Sequence, residues 1–415
     1  MIYLKTAWLT AKKSIISNIL TVIQLAVALA ISVVMVSSVL IRYQYYAPFK
    51  DYFNSTGIFT TYFDYANSDP TTGKLYNMMD KEDILKSLDG SVDMISCYGA
   101  MLDDIQDPDH HFRVMIYDNA IIERYQPELS DGRWLRVTND KKRVEAVVSQ
   151  NSYNWKVGDI ITIVSNNHPE FVEFEVEIVG VLNEGTRIVG NFGLPSEKTD
   201  YNSFYTPFSY AIEQIPLLIF SHDALANLSN SETSQLACAV PQAVRYGSLI
   251  RFKDTTDTNS INSAMEQLNH YGITISENMA VVKENSMQYL MQQIKKLLPT
   301  IIIALLLVVV STISSSALST KKNMRNYVIF TINGLPWRRC ILINLLQSLM
   351  VLIASWLFSF ICLYVINRMF DSVTIIWSFW LPLFYLLIGF VYILISLVMP
   401  ILMIWKSTPK QLLTN

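Results

Sequence analysis

The chain has 415 residues, of which 51% are hydrophobic and only 16% are charged, and this balance argues against a purely soluble protein. All its acidic residues except Asp371 lie in the segment 42–296, where 34 acidic and 21 basic side chains give a net charge of −13. An acidic domain of this kind argues against nucleic acid as a partner. The long uncharged stretches on both sides of it predict membrane spans beside a water-exposed domain.

Residues 1–18 are predicted to form a cytoplasmic amphipathic helix before the first span. Trp8 lies on the apolar side of this helix, which favours a helix lying on the inner membrane surface. A basic tail that only sets the topology is the alternative. The apolar side is formed by five residues at helical spacing: Leu4, Ala7, Trp8, Ala11 and Ile15.

Four uncharged runs are long enough to cross a bilayer as helices, namely residues 19–41, 297–318, 341–366 and 375–405. A helix that is apolar on every face for six turns is rare in soluble proteins. The first run is longer than the apolar region of a signal peptide, so we expect it to be an uncleaved span.

The distribution of lysine and arginine predicts the orientation of the spans. Ten basic residues and no acidic residue lie in the first eighteen residues, the loop 319–340 and the tail 406–415. The short loop 367–374 carries only Arg368 and Asp371, whose charges cancel. We therefore predict a multi-pass protein of the plasma or inner membrane, with both termini cytoplasmic and the large domain extracytoplasmic.

The segment 42–296 shows strand and helix patterns that are repeated at its two ends. Two strand–helix–strand units predict one α+β subdomain, formed from about 55–105 and 246–278, with a strand-rich insertion at about 106–245. Residues 183–246 show a weak pattern and are predicted to form long loops. The predicted strands are 57–64, 92–101, 111–117, 143–149, 159–164, 173–182, 248–252 and 273–276, and the predicted helices follow Asp80 and cover 258–270.

Two segments are predicted to form a stalk between this domain and the membrane. Residues 42–53 leave the first span with a belt of aromatic side chains, and residues 279–296 are amphipathic and run directly into the second span. The stalk residues singled out are Tyr43, Tyr45, Tyr46, Tyr289 and Met291.

Enzymatic chemistry is not indicated by any motif, so we predict no catalytic residue, no metal site and no cofactor bound by this chain. There is no GxxxxGK[ST] loop for a nucleotide and no GxSxG, HExxH or Cys–His signature. The segment 107–111 (DPDHH) is interpreted as a polar turn, because adjacent histidines on a strand point to opposite faces. Cys97 and Cys238 are predicted to be buried free thiols, with a disulfide as the alternative.

Polar residues inside the spans permit two interpretations. A translocation path would need several of them to face one cavity. Hydrogen bonding between helices, with close packing at Ala26 and Ala30, is the favoured interpretation. The residues concerned are Gln24, Ser311, Ser314, Ser315 and Gln347.

The loop 319–340, which contains KKNMRNYVIFTINGLPWRRC, predicts a docking element. Val328, Ile332 and Leu335 recur at helical spacing and would form an exposed apolar ridge on a short helix. Gly334 is predicted to end that helix, and Pro336 suits the first turn of the next one. Anchoring at the membrane surface is the alternative to docking on a peripheral protein.

Several short motifs, in order, resemble the FtsX/MacB-like family of ABC-transporter permeases over essentially the whole chain. The exterior segment contains an L-x-x-G-R turn ending at Gly132 and Arg133, a V-G-D turn with Gly158 and Asp159, and a strand ending in V-x-G-V at Gly180. Further similarities are Arg325, Ile332, Gly334 and Arg338 in the loop and Pro400, Lys406, Pro409 and Leu413 at the end. The sequence departs from the family at Asn326 or Tyr327 and at Gln347, where an acidic residue is usual, and it has no fused ATPase domain.

The resemblance implies a four-span permease that works by mechanotransmission, with no substrate path through the bilayer. ATP and Mg²⁺ would be bound by a separate cytoplasmic ABC ATPase, and a second permease would complete a homo- or heterodimer. Membrane lipid is a further partner, and an extracytoplasmic peptide or protein is a candidate. The coupling residues implied are Met324, Tyr327, Val328, Ile329, Phe330, Ile332, Asn333, Gly334, Leu335 and Pro336.

The output expected from such a permease is export or extrusion of a peptide, an antibiotic or a lipophilic substrate. An FtsX-like activator of a cell-wall hydrolase, or a stand-alone sensor or adhesion protein anchored by four helices, is the alternative. In fold class, we expect a membrane all-α part with four transmembrane helices and an extracytoplasmic α+β domain of periplasmic-core type.

Overall fold

The protein is described by a computed structural model that covers residues 2–63, 81–103, 111–137, 144–165, 172–190, 198–227, 244–270, 273–334, 336, 339–369 and 380–406. It divides into two compact units. We call them the helical unit, formed by Met1–Ile41 and Leu290–Asn415, and the sheet domain, formed by Arg42–Tyr289.

The secondary structure follows the order expected for four spans with one domain between the first two. The described helices are α1 Ile2–Lys13, α2 Ile15–Tyr46, α3 Lys50–Phe53, α4 Lys81–Ser87, α5 Asn119–Arg124, α6 Tyr210–Glu213, α7 His222–Asn227, α8 Thr258–His270, α9 Met279–Ile332, α10 Cys340–Met369 and α11 Trp380–Lys406, with 3₁₀ helices at Ala47–Phe49 and Tyr201–Phe204. The described strands are β1 Gly57–Phe63, β2 Ser91–Asp103, β3 His111–Tyr117, β4 Leu129–Gly132, β5 Val144–Val148, β6 Ile160–Ser165, β7 Val172–Leu182, β8 Arg187–Val189, β9 Tyr205–Pro207, β10 Leu217–Ser221, β11 Val244–Phe252 and β12 Ile273–Asn278.

Four of the described helices, α2, α9, α10 and α11, are long and apolar enough to cross a membrane. The fold class predicted from the sequence, four such helices with an α+β domain, is confirmed. The boundaries differ most at α9. The predicted stalk 279–296, span 297–318 and the start of the loop 319–340 form a single helix of 54 residues, α9. No glycine lies between its ends, and its one proline, Pro299, does not end it.

The four long helices pack through small and branched side chains. Leu25, Leu29 and Val33 of α2 share an apolar core with residues of α9, α10 and α11, including Val308, Leu352, Leu363 and Tyr385. Ala26 and Ala30 are buried, as the close-packing interpretation predicts.

Three of the five polar residues singled out in the spans, Ser311, Ser315 and Gln347, contact polar side chains of other helices, which supports the favoured interpretation. Ser319 Oγ donates to Gln347 Oε1 at 3.0 Å, and Gln347 Nε2 donates to Asn18 Oδ1 at 3.4 Å. Ser17 donates to Ser315 at 2.8 Å, linking α2 with α9. Ser311 lies within 3.5 Å of Thr21, whereas Ser314 is exposed.

The two ends of the sheet domain meet in one sheet, as their repeated patterns predict. β1 pairs antiparallel with both β11 and β12, and β11 pairs antiparallel with β2. Ile84 of α4, Leu88 just after it, and Ile261 and Leu268 of α8 form an apolar core with Ile58 and other side chains of these strands. The Asp80 cap lies outside the described residues.

The predicted insertion continues the same sheet. From β2 the strand order runs β3, β10, β5, β7 and β4, with β6 forming a hairpin with β7. The pairs β3–β10 and β5–β7 are parallel, and the other pairs of this sheet are antiparallel.

The prediction of long loops at 183–246 is wrong for the described part of that segment. It contains β8, β9 and β10, and all five residues of β10 are buried. A strand buried on both faces is apolar throughout and lacks the alternation by which a half-exposed strand is found.

Candidate functional site

The site residues predicted from the sequence lie in three places in the structure. The first is the end of α9 in the helical unit. The second is an aromatic junction in the sheet domain, formed around the end of α2 and the beginning of α9. The third is the set of glycine motifs around β7.

The end of α9 has one buried face. Met324, Tyr327 and Val328 are 7%, 0% and 1% exposed, and Met324 and Tyr327 belong to an apolar cluster in the helical unit. Their partners in this cluster come from α1, α10 and α11: Ala7, Cys340, Ile343 and Ile404. These three predicted coupling residues therefore hold the end of α9 in place and do not present a surface.

Other apolar side chains of the same turns are exposed. Ile329 is 46% exposed and Ile332 is 66% exposed, and Phe330 is half-buried beside them. The ridge predicted at Val328, Ile332 and Leu335 is therefore wrong at Val328, which is only 1% exposed. Leu335 lies outside the described residues.

Gly334 ends the helix as predicted. Its φ of +88° lies in the left-handed region that favours glycine, and its N–H donates to the carbonyl of Thr331 at 3.0 Å. Asn333 and Pro336 are exposed, and the carbonyl of Pro336 accepts from the N–H of Arg339 at 2.8 Å. The exposed isoleucines are thus followed by a tight turn.

A groove of about 470 Å³ lies between α1 and the end of α9. Leu9 and Lys12 of α1 and Asn326 and Phe330 of α9 are among the residues that line it. The prediction that α1 lies on the inner membrane surface stays a prediction. Of its apolar residues, Ala7 is buried among protein side chains and Trp8 is 63% exposed.

The aromatic junction gathers predicted stalk residues with side chains from distant parts of the chain. The Tyr45 ring centroid lies 4.8 Å from that of Tyr205, whose hydroxyl donates to the Tyr45 carbonyl at 2.7 Å. Tyr46 lies 5.2 Å from Tyr201. Burial raises the pKa of Tyr201 to about 12, with the nearby Tyr46 adding to the shift, so this ring stays neutral at ordinary pH.

Arg42 is the centre of the polar contacts at the junction, and the sequence prediction missed it. Its guanidinium bonds to Asp200 at 2.9 Å and lies 3.5 Å from the ring centroid of Tyr289. Asn285 Nδ2 donates to the carbonyl of Thr199 at 3.0 Å, and Ser286 Oγ accepts from the N–H of Tyr201 at 3.0 Å.

The segment 199–201 is therefore bonded to the last residues of α2 and to the first turns of α9. Among the missed residues, Asp200 carries a local signal, because Asp200 and Ser203 form a capping box. The other two stalk predictions lie at exposed positions: Tyr43 is 61% exposed and Met291 of the helical unit is 49% exposed.

The glycine motifs of the sheet domain come together around β7. Gly132 pairs with Gly180, and the N–H of Arg133 donates to the carbonyl of Val179 at 2.9 Å. A Cβ on Gly132 would lie 2.9 Å from the Cα of Gly180 and would also overlap the carbonyl oxygen of Val179. These glycines are therefore required by the close approach of two backbones.

The remaining motif residues form hydrogen bonds and an ion pair with β7 and the neighbouring β5. The N–H of Gly158 donates to the carbonyl of Ile178 at 2.8 Å, and the carbonyl of Asp159 accepts from the N–H of Ile178 at 2.9 Å. Arg133 forms a two-fold ion pair with Glu145, which raises the pKa of the arginine.

Metal and thiol chemistry have few candidates in the described part of the chain. No group of three His, Cys, Asp or Glu side chains there could hold a metal ion. Asp107, His110 and Cys238 lie outside the described residues. Cys97 is a buried free thiol whose Sγ donates to the carbonyl of Gly247 at 3.6 Å.

The fold and these groups of residues define a multi-pass membrane protein with a separate α+β domain. No family model and no curated protein matches the chain. Among solved structures, the chain is 13% identical to the extracellular domain of the noncanonic ABC-type transporter YknZ from Gram-positive bacteria, covering 54% of this chain and 99% of that one, with a TM-score of 0.26.

The periplasmic region of MacB from Actinobacillus actinomycetemcomitans is 10% identical, with 57% of this chain and 94% of that one covered and a TM-score of 0.27.

Proposed function

We propose that this chain is the non-enzymatic permease subunit of an ABC transporter of the FtsX/MacB type. A separate cytoplasmic ATPase would bind ATP and Mg²⁺ and dock on the end of α9. The observation that carries the proposal is the exposed pair Ile329 and Ile332, which lies on a helix end fixed by a buried cluster and closed by the turn at Gly334.

The position of the two isoleucines favours a protein partner over lipid. Lys321, Lys322 and Arg325 precede them on α9 and are exposed. Basic side chains at the end of a span mark the cytoplasmic boundary of the bilayer, so residues further along the helix project beyond the hydrocarbon region. An apolar surface in that position is typical of a protein interaction site.

The continuity of α9 supports coupling to the sheet domain. Its first turns begin in the core of that domain, where Met279 and Val282 are 1% and 0% exposed. Its last turns carry the proposed docking surface, and the backbone between them is helical throughout. An ATPase docked on that surface would therefore act on the same helix whose first turns lie in the sheet domain.

The proposed assembly contains a second permease, as a homo- or heterodimer, and its output is export or extrusion of a peptide, an antibiotic or a lipophilic substrate. Activation of a cell-wall hydrolase is an alternative output of the same machinery. A stand-alone sensor or adhesion protein is the alternative from another class, and it would leave Ile329 and Ile332 without a role.

The test is co-purification of the full-length chain with its ATPase after expression in a host that produces both. We expect an ATPase subunit to be recovered and its hydrolysis rate to rise in the complex. Ile332→Asp and Ile329→Asp should each reduce both by about tenfold, which corresponds to about 1.4 kcal/mol of binding free energy.

The matched control is Ile212→Asp, the same change at a residue of the sheet domain that is 83% exposed. It should leave both readouts unchanged. Recovery of the chain without any ATPase, or equal behaviour of Ile332→Asp and Ile212→Asp, would refute the proposed docking surface.

A further inference from the structure

A polar cavity of about 20 Å³ lies inside the helical unit, where α2, α9, α10 and α11 meet. Its walls are mainly the hydroxyl and amide side chains of serine, threonine, asparagine and glutamine. Asn18 lines it from α2, Thr312 from α9, Gln347 from α10 and Ser396 from α11. Apart from the contacts between helices described above, these side chains have no assigned role.

Thr312 points to a ligand in this cavity. The residue is 3% exposed, and among the residues that the structure describes no donor or acceptor bonds to its Oγ1. Other threonines of these helices bond to the carbonyl four residues earlier, as Thr320 does to Ser316 at 2.8 Å and Thr21 to Ser17 at 2.9 Å. A hydroxyl left unbonded in a membrane interior costs free energy.

Other side chains that line the cavity can also form further hydrogen bonds. Gln347 Nε2 reaches Ser14 Oγ and Asn18 Oδ1 only at 3.4 Å each, at the long end of hydrogen-bond distances. Hydroxyl groups can donate or accept, and amide groups supply both functions. A small molecule with two donors and two acceptors would match such walls.

We propose that this cavity is a binding site for internal water, which bonds to Thr312 and links the four helices. A volume of about 20 Å³ exceeds the roughly 10–15 Å³ that one water molecule needs, so the site would hold about one or two molecules. A metal cation is disfavoured, because the lining residues are all uncharged and an ion buried without a counter-charge is costly.

The first experiment is X-ray radiolytic labelling of the full-length protein in detergent with ¹⁸O-water, because hydroxyl radicals formed from a bound water modify the side chains beside it. Tyr392 lines the cavity and is 6% exposed. Tyr385 on the same helix is 2% exposed, with its hydroxyl 2.7 Å from Ser359, and is the internal control. We expect Tyr392 to be labelled several-fold faster than Tyr385, and equal rates would overturn the proposal.

The second experiment uses Thr312→Val, which replaces the hydroxyl with a methyl group of similar size. If water bonds to Thr312, the variant should show slower labelling of Tyr392 and a lower melting temperature, whereas Thr312→Ser should resemble the wild type. A higher melting temperature for Thr312→Val would mean that the hydroxyl is buried without water, and would overturn the proposal.

The third measurement separates water from a monovalent cation. Exchanging Na⁺ and K⁺ for N-methyl-D-glucamine should leave the melting temperature of the wild type unchanged. A melting temperature that depends on Na⁺ or K⁺ in the wild type but not in Thr312→Val would identify a cation and overturn the assignment of water.

Discussion

The guanidinium of Arg42 lies 2.9 Å from Asp200 Oδ2 and joins the end of α2 to the residue that caps the 3₁₀ helix Tyr201–Phe204. The two side chains are only 14% and 17% exposed. Arg42 also lies against the ring of Tyr289 on α9. One side chain of α2 therefore contacts both Asp200 and α9 within the sheet domain.

Removing one partner of this pair should leave a half-buried charge. We expect Arg42→Ala or Asp200→Asn to lower the free energy of unfolding of the sheet domain by about 1–3 kcal/mol. Arg42→Lys should recover only part of the loss, because lysine keeps the charge but not the planar group over Tyr289. Denaturant unfolding of the full-length chain, followed by tyrosine and tryptophan fluorescence, measures the change.

The control for this prediction is the exposed pair of Arg124 and Asp51, with side chains 34% and 35% exposed. Arg124→Ala should cost no more than about 1 kcal/mol, as surface ion pairs do. The double variant Arg42→Ala with Asp200→Asn should be less destabilised than the sum of the single variants. Strict additivity would show that the two side chains do not interact.

The contact between Gly132 and Gly180 predicts that substitutions at Gly132 and Gly158, two glycines of positive φ, destabilise the protein to very different extents. Gly132 and Gly158 have φ angles of +77° and +93°, but only at Gly132 would a Cβ meet backbone atoms. Because asparagine tolerates the left-handed region, Gly158→Asn should lower the free energy of unfolding by about 1 kcal/mol or less. Gly132→Asn should cost about 2–4 kcal/mol through the steric conflict.

Thermal unfolding of the two asparagine variants measures this difference. A third variant, Gly180→Ala, tests the same contact from the other strand, where a Cβ would overlap the carbonyl of Arg133. Equal melting temperatures for Gly132→Asn and Gly158→Asn would contradict the packing described for β4 and β7.

Asp51 gives the sheet domain a predicted sensitivity to acid. Burial alone would raise the pKa of Asp51, but hydrogen bonds and charge from Arg124, with a contribution from Arg251, outweigh it and hold the pKa below the ordinary value of 3.8. The unfolded state therefore takes up the proton more readily. The stabilisation is present above the ordinary pKa and is lost as the pH falls through the lower folded pKa.

The measurement is the melting temperature of wild type, Asp51→Asn and Arg124→Gln between about pH 7 and pH 3. Both variants should be less stable than the wild type at neutral pH. Their deficit should shrink as the pH falls, because the wild type loses the same interaction. A deficit that stays constant over this range would show that Asp51 does not contribute through its charge.

The sequence predicted those elements whose signal is local. β3 and α8 have the predicted bounds, because a half-buried strand alternates and an amphipathic helix repeats every three to four residues. It did not predict the partner of Arg42, since Asp200 is 158 positions away. Nor did it predict that Val328 is buried and Ile329 exposed, because both are apolar and only the packing of α9 against its neighbours separates them.

Cys97 is predicted to be chemically inert in the folded protein. It is completely buried on β2, and burial, with the charge of Asp118 adding to it, raises the pKa of its thiol well above the ordinary value. Only the thiolate reacts quickly with a maleimide, so Cys97 should remain unmodified at neutral pH until the sheet domain unfolds. Mass spectrometry of peptides after labelling, with and without denaturant, gives the modified fraction of each cysteine.

The same peptides report on Cys238. Because Cys97 is a free thiol that donates to the carbonyl of Gly247, we expect no peptide in which Cys97 and Cys238 are linked under non-reducing conditions. Cys97→Ala should remove this contact and some apolar packing and lower the melting temperature, while leaving the labelling of the remaining cysteines unchanged. A disulfide-linked peptide containing Cys97, or fast labelling of Cys97 in the folded protein, would contradict the buried thiol.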